Sequence, residues 1–110
     1  VTKDKLLRLR ELVREVPIST DLKKRAVTIV TATRKESELI EFGASPRASI
    51  GLILASKARA LLKGRNAVTK DDIYSLTLPI LRHRIILNFD AERKGMKADD
   101  VIGQIVQKVR

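Results

Sequence analysis

Leu, Ile, Val and Ala recur three and four residues apart in five separate stretches of this sequence, and that spacing constrains the fold more than any other feature. Such stretches form one-sided helices, which persist only when their apolar stripes pack against one another. Thr2 can cap the first helix, about Lys3 to Val16, where Leu6, Leu9, Val13 and Val16 share a stripe that Leu12 joins. Asp4 falls in its first turn, where negative charge suits the helix dipole. Pro17 ends it, because the residue before a proline is pushed away from helical angles.

Ser19, Thr20 and Asp21 offer caps for a second helix, about Leu22 to Arg34, with Leu22, Ala26, Ile29, Val30 and Thr33 in period. Lys35 to Ala44 is polar and reads as a helix end followed by a loop closing on Gly43. The third helix has the clearest start: Ser45 as cap, Pro46 at the first helical position, where its missing N–H is harmless, and then Arg47. It continues to a natural stop at Gly64. Apolar residues occupy more than one of its faces, which predicts the central and most buried helix. Lys57, Arg59, Lys63 and Arg65 lie toward its C-terminal end, where the dipole favours cations without any ligand.

Thr69 with Asp72 three residues on is an aspartate version of the capping box and opens a fourth helix over Ile73, Leu76, Ile80 and Leu81. Pro79 is expected to kink or split it. Arg84 to Leu87 reads equally as a short strand or a helix end. Asn88 to Lys97 is loop-like, and a last amphipathic helix spans about Ala98 to Val109. With no repeat and no low-complexity tract, the expectation is one all-α domain over residues 1–110, a bundle of about five helices with room for one very short strand pair.

A chain of 110 residues hides roughly two-thirds of its unfolded surface, enough for a core of its own. Only Phe42, Tyr74 and Phe89 are aromatic, so that core is aliphatic. The absence of cysteine excludes disulfides and thiolate metal sites and is compatible with a cytoplasmic protein. The apolar runs are too short to span a bilayer, and the charged start from Lys3 has no signal-peptide pattern. The formal net charge of +10, from 23 Lys plus Arg against 13 Asp plus Glu, raises nucleic acid as a partner. The acids are interspersed, however, and the longest basic run is Lys23-Lys24-Arg25, which favours a solvated mixed surface over a nucleic-acid groove.

Most catalytic chemistry has no place to stand. The glycines at 43, 51, 64, 95 and 103 are isolated, so there is no GxxxxGK[ST] phosphate loop, and no apolar strand ends in Asp-Glu to hold magnesium. His83 is the single histidine and lacks a nucleophile and an orienting partner nearby, so it is assigned a structural or surface role. Asp71-Asp72 and Asp99-Asp100 each fall in a first helical turn. Adjacent helical residues point about 100° apart, which suits capping better than a shared metal ion.

Gly43-Ala44-Ser45-Pro46-Arg47-Ala48 is the exception. A helix start presents free N–H groups and partial positive charge, and helical side chains lean toward the N-terminus, so Arg47 projects past the helix end. A guanidinium there can grip phosphate oxygens with paired hydrogen bonds. The dipole disfavours a cation at this end and asks for an anion. A phosphate answers that demand, and so does a local salt bridge from Glu38 or Glu41. The residues alone leave both open.

The run GASPRA, followed by an alanine-rich helix to KGRNAVTKDDI and then LRHRI, resembles the lid domain of MoxR-type AAA+ ATPases. VPIS, the helix ending VTATR, and the tail with its Gly95-Met96 turn and closing helix fit the same pattern, in one register from about Val16 to Val109. Ala67 stands where an aromatic is common and Lys70 where a proline is common, both away from GASPRA. The resemblance implies a C-terminal lid whose αβα core lies elsewhere in a longer ATPase. It makes Arg47 the sensor-2 residue, with Ser45, Pro46 and Ala48 around it, acting on ATP and Mg2+ held by that core. It also implies neighbouring subunits in a hexameric ring, an unidentified client and chaperone-like remodelling. The isolated chain is then not itself an enzyme. Arg34, His83 and Arg84 match family positions with structural or interface roles. Two other readings stand beside it: a basic DNA-binding module, since NAVTKDDIYSL also resembles the end of a histone fold, and a helical adaptor that binds protein.

Overall fold

The computed structural model describes residues 2–35 and 38–109. Among them six helices run in the order α1 (Lys3–Glu15), α2 (Thr20–Lys35), α3 (Arg47–Leu62), α4 (Lys70–Leu81), α5 (Phe89–Arg93) and α6 (Ala98–Val109). Two short strands, β1 (Ile40–Phe42) and β2 (Ile86–Leu87), pair antiparallel with Ile40 opposite Leu87 and Phe42 opposite Ile86. The all-α expectation holds. No helix among the described residues is long and apolar enough to cross a membrane.

Two segments depart from expectation. The stretch read as a loop up to Ala44 contains β1, and residues 36 and 37 of it lie outside the described residues. The loop-like stretch from Asn88 contains α5, opened by the Asn88 side chain, which accepts from the Ala91 amide at 3.0 Å. At Arg84–Leu87 the strand reading is the one realised, over Ile86–Leu87. The Asn88 amide then donates to the Leu39 carbonyl at 2.9 Å and extends the clamp. Pro79 is accommodated inside one continuous helix, close enough to its end that few backbone bonds depend on it.

The core is aliphatic. Leu22, Ala26, Ile29 and Val30 of α2 meet Ala48, Leu52 and Ala60 of α3, Ile73 and Leu81 of α4, and Ile102 of α6. Ala32, Val101 and Ile105 form a smaller cluster between α2 and α6. The small residues Ala48, Ser56 and Ala60 are fully buried and let α3 lie close to its neighbours. Helix α3 touches α1, α2 and α4, as a central helix should. It is not the most buried one, however. α2 buries six residues and α3 four, while Ile50 and Leu62 of α3 stay 60% and 87% exposed. Apolar residues all round α3 therefore mean an uncovered side rather than a deeper position. The same holds for α1: of its expected apolar stripe only Val16, just past the helix end, is buried, and none of Lys3–Glu15 is.

Candidate functional site

The predicted site is built where the end of α2 meets the start of α3. Thr33, buried in the last turn of α2, donates its hydroxyl proton to the Val30 carbonyl at 2.6 Å and accepts the Ala44 amide at 3.0 Å. This satisfies a backbone donor in a fully buried residue, where an unmet N–H would be expensive. Gly43 makes the approach possible. A Cβ there would lie 2.6 Å from the Thr33 carbonyl carbon and 2.6 Å from Arg34 Cγ. The chain is thus pinned at Ala44, three residues before Arg47.

Helix α3 then begins in an unusual way. Pro46 already has helical angles (φ −56°, ψ −27°), and no side chain caps the helix start. The expected cap from Ser45 is replaced by backbone bonds: the Ala48 amide donates to the Ser45 carbonyl at 2.9 Å and the Ser49 amide to the Pro46 carbonyl at 3.1 Å. Side chains act at the starts of the other long helices. Thr2 serves α1, Ser19 serves α2, Thr69 serves α4, and Asp100 accepts the Lys97 amide before α6.

Arg47, Ser45 and Pro46 are exposed at this uncapped start, and Ala48 turns inward, fully buried against the core. Ala48 therefore anchors the first turn rather than presenting its side chain outward. Among the described residues Arg47 makes no ion pair, so neither Glu38 nor Glu41 supplies the anion that the dipole asks for. Arg34 packs its stem over Gly43 and is exposed at the same corner. His83 and Arg84 are exposed just before β2.

Several other arginines are treated differently. Asp72, with a fully buried carboxylate, completes the Thr69 capping box and accepts from Arg59 at 2.6 Å and from Arg65. Arg59 also lies 3.2 Å from Asp71. Burial pushes the Asp72 carboxyl up, but the Thr69 amide and the two guanidiniums outweigh it and hold the group below its ordinary value. Arg82 Nε lies 3.2 Å from Asp99, tying the end of α4 to the start of α6 without hydrogen-bond alignment. Arg25 pairs with Asp21 at 3.4 Å and donates to the Tyr74 hydroxyl at 3.0 Å. Both aspartate pairs are thus engaged by caps and arginines. Five arginines, Arg25, Arg59, Arg65, Arg82 and Arg93, meet carboxylates among the described residues.

The AAA lid domain family matches residues 32–105. Chaperone MoxR1 of Mycobacterium tuberculosis is 37% identical over 112 residues, which take in 94% of this chain and 30% of that protein. YeaC of Bacillus subtilis is 34% identical over 110 residues, covering 100% of this chain and 34% of its own length. A solved structure of a candidate ATPase from Cytophaga hutchinsonii superposes with a TM-score of 0.92 at 37% identity, covering 100% of this chain and 36% of that one. The chain spans about a third of the length of these relatives.

Proposed function

Because the chain belongs to the AAA lid domain family, of the kind found in MoxR proteins, we propose that it is the nucleotide-sensing lid of a MoxR-like AAA+ ATPase and that Arg47 is its sensor. The observation that carries this reading is an exposed guanidinium, with no carboxylate partner among the described residues, at a helix start that no side chain caps. A triphosphate held by a separate core domain, with its Mg2+, supplies the missing anion. Ser45 and Pro46 face the same opening, and Ala48 keeps the first turn fixed to the core.

The mechanism follows from charge. While the γ-phosphate is present, Arg47 is drawn to its oxygens by paired hydrogen bonds. During transfer of the phosphoryl group, the fixed positive charge stabilises the negative charge spread over the equatorial oxygens. After hydrolysis that attraction falls and the lid is released. Because Thr33 and Gly43 tie the site to α2 and the core, movement of Arg47 carries the whole bundle as one body. In a cytoplasmic hexameric ring such motion passes the nucleotide state to the neighbouring subunit and to a remodelled client. The test is Arg47→Ala in the full-length protein. ATPase turnover should fall about a thousandfold, the scale of an arginine finger, while the domain's melting temperature does not fall. Wild-type turnover would reject the assignment.

A further inference from the structure

The uncovered side of α1 is a shaped feature. Leu6, Leu9 and Val13 of α1 face Leu54 of α3 across an open groove of about 390 Å3, edged by Arg10 and Arg14. Leu6 and Leu9 are 52% and 49% exposed. Lys57 Nζ donates to the Arg14 carbonyl at 2.9 Å and fixes the far end of α1 against α3, so the groove has two tied walls. Ile50, one turn before Leu54 on the same stripe of α3, prolongs the apolar wall.

The charges on α1 are sorted around this stripe. At about 100° per residue, Lys3, Arg10 and Arg14 border Leu6, Leu9 and Val13 on one side. Lys5 and Leu12 border them on the other, while Arg8 falls beside Glu15. Asp4, Glu11 and Glu15 fall together on the opposite face. An apolar trough edged by Arg10 and Arg14, with the acids of α1 turned away, is complementary to an amphipathic helix whose leucine-type stripe is flanked by carboxylates.

We propose that the α1–α3 groove docks an acidic amphipathic helix of a partner protein. The concave, two-walled shape fits a cylinder better than the flat surface of a bilayer. The apolar contacts supply affinity and the flanking Lys and Arg select the sign of the partner's charge. The proposal does not depend on Arg47, which lies at the helix mouth outside the groove lining.

The test uses the 110-residue chain and two synthetic helical peptides with the same leucine stripe, one flanked by glutamate and one by lysine. The glutamate peptide should bind about tenfold or more tightly than its twin at low salt, and should shift the methyl resonances of Leu6, Leu9, Val13 and Leu54. Leu9→Gln, half-exposed and so tolerated by the fold, should abolish binding without moving the melting temperature. The double variant Arg10→Glu with Arg14→Glu should exchange the preference of the two peptides. Arg47→Ala should leave peptide binding intact, so failure here and failure of the nucleotide reading can be told apart. Equal binding of both peptides, preferential binding to anionic vesicles, or self-association through Leu9 in place of peptide binding would each overturn the proposal.

Discussion

At the C-terminal end of α3, Arg59 and Arg65 close on the buried carboxylate of Asp72; at its N-terminal end, Arg47 meets no acidic side chain among the described residues. The helix dipole favours the first arrangement and opposes the second. Yet the favourable end is the one that receives a buried partner, Asp72 of the capping box that opens α4, and a second carboxylate from Asp71. The unfavourable end receives exposure and no side-chain cap. Arg59 and Arg65 are paired within the fold. Arg47, at the end that the backbone disfavours, has no carboxylate partner among the described residues, and the proposed phosphate ligand would supply the anion.

This contrast is most easily broken at Asp72. Asp72→Ala removes a buried charge that two guanidiniums and the Thr69 amide depend on, and should destabilise the domain by about 3–5 kcal/mol in urea unfolding. A loss below about 1 kcal/mol, the scale of a surface pair, would mean that this end is no better organised than the other. Asp72→Asn keeps an acceptor for the cap and should lose less. The sign of the pH dependence is fixed by the lowered carboxyl. Its stabilising effect is fully present above the unfolded value of about 3.9 and is lost as pH falls through the folded value. The stability gap between the native chain and Asp72→Asn should therefore narrow below about pH 4.

What the sequence discloses is set by how local each cause is. The Thr69–Asp72 box, the Gly64 stop and the bounds of α6 rest on neighbours within one or two turns, and the structure reproduces them. β1 does not: three residues acquire strand geometry only because β2 arrives beside them from the far side of two helices. Arg59 and Arg65 read as cations suited to a helix end, and nothing local revealed that both converge on Asp72. At the candidate site, exposure of Arg47 follows from its place in the first turn. Its anchor does not, because Thr33 looks like an ordinary helix position until the Ala44 amide reaches it. The adjacent polar stretch ending in glycine was the one available hint.

That anchor sharpens the comparison, because it separates holding Arg47 in place from what Arg47 does. Gly43→Ala forces a methyl against the backbone of Thr33 and the stem of Arg34, and should cost about 1–3 kcal/mol. Thr33→Val keeps the volume but removes the acceptor of a buried amide, also about 1–3 kcal/mol. In the full-length protein both should lower ATPase turnover less than Arg47→Ala does, since the guanidinium is misplaced rather than lost. Turnover unchanged in Gly43→Ala, despite a measured loss of stability, would show that the α2–α3 junction does not position the sensor.

The smallest effect is the most discriminating, because its sign opposes the usual result of a substitution. Arg47 sits at a helix start whose partial positive charge repels it, and among the described residues its side chain makes no ion pair that folding would lose. In the isolated domain, Arg47→Ala should raise stability by about 0.3–1 kcal/mol at low ionic strength, and the gain should shrink in high salt as the repulsion is screened. Arg59→Ala, at the other end of the same helix, should lose stability under identical conditions. A salt-insensitive loss in Arg47→Ala would place its side chain in a stabilising contact of the fold. The dipole argument for an external anion would then have no footing.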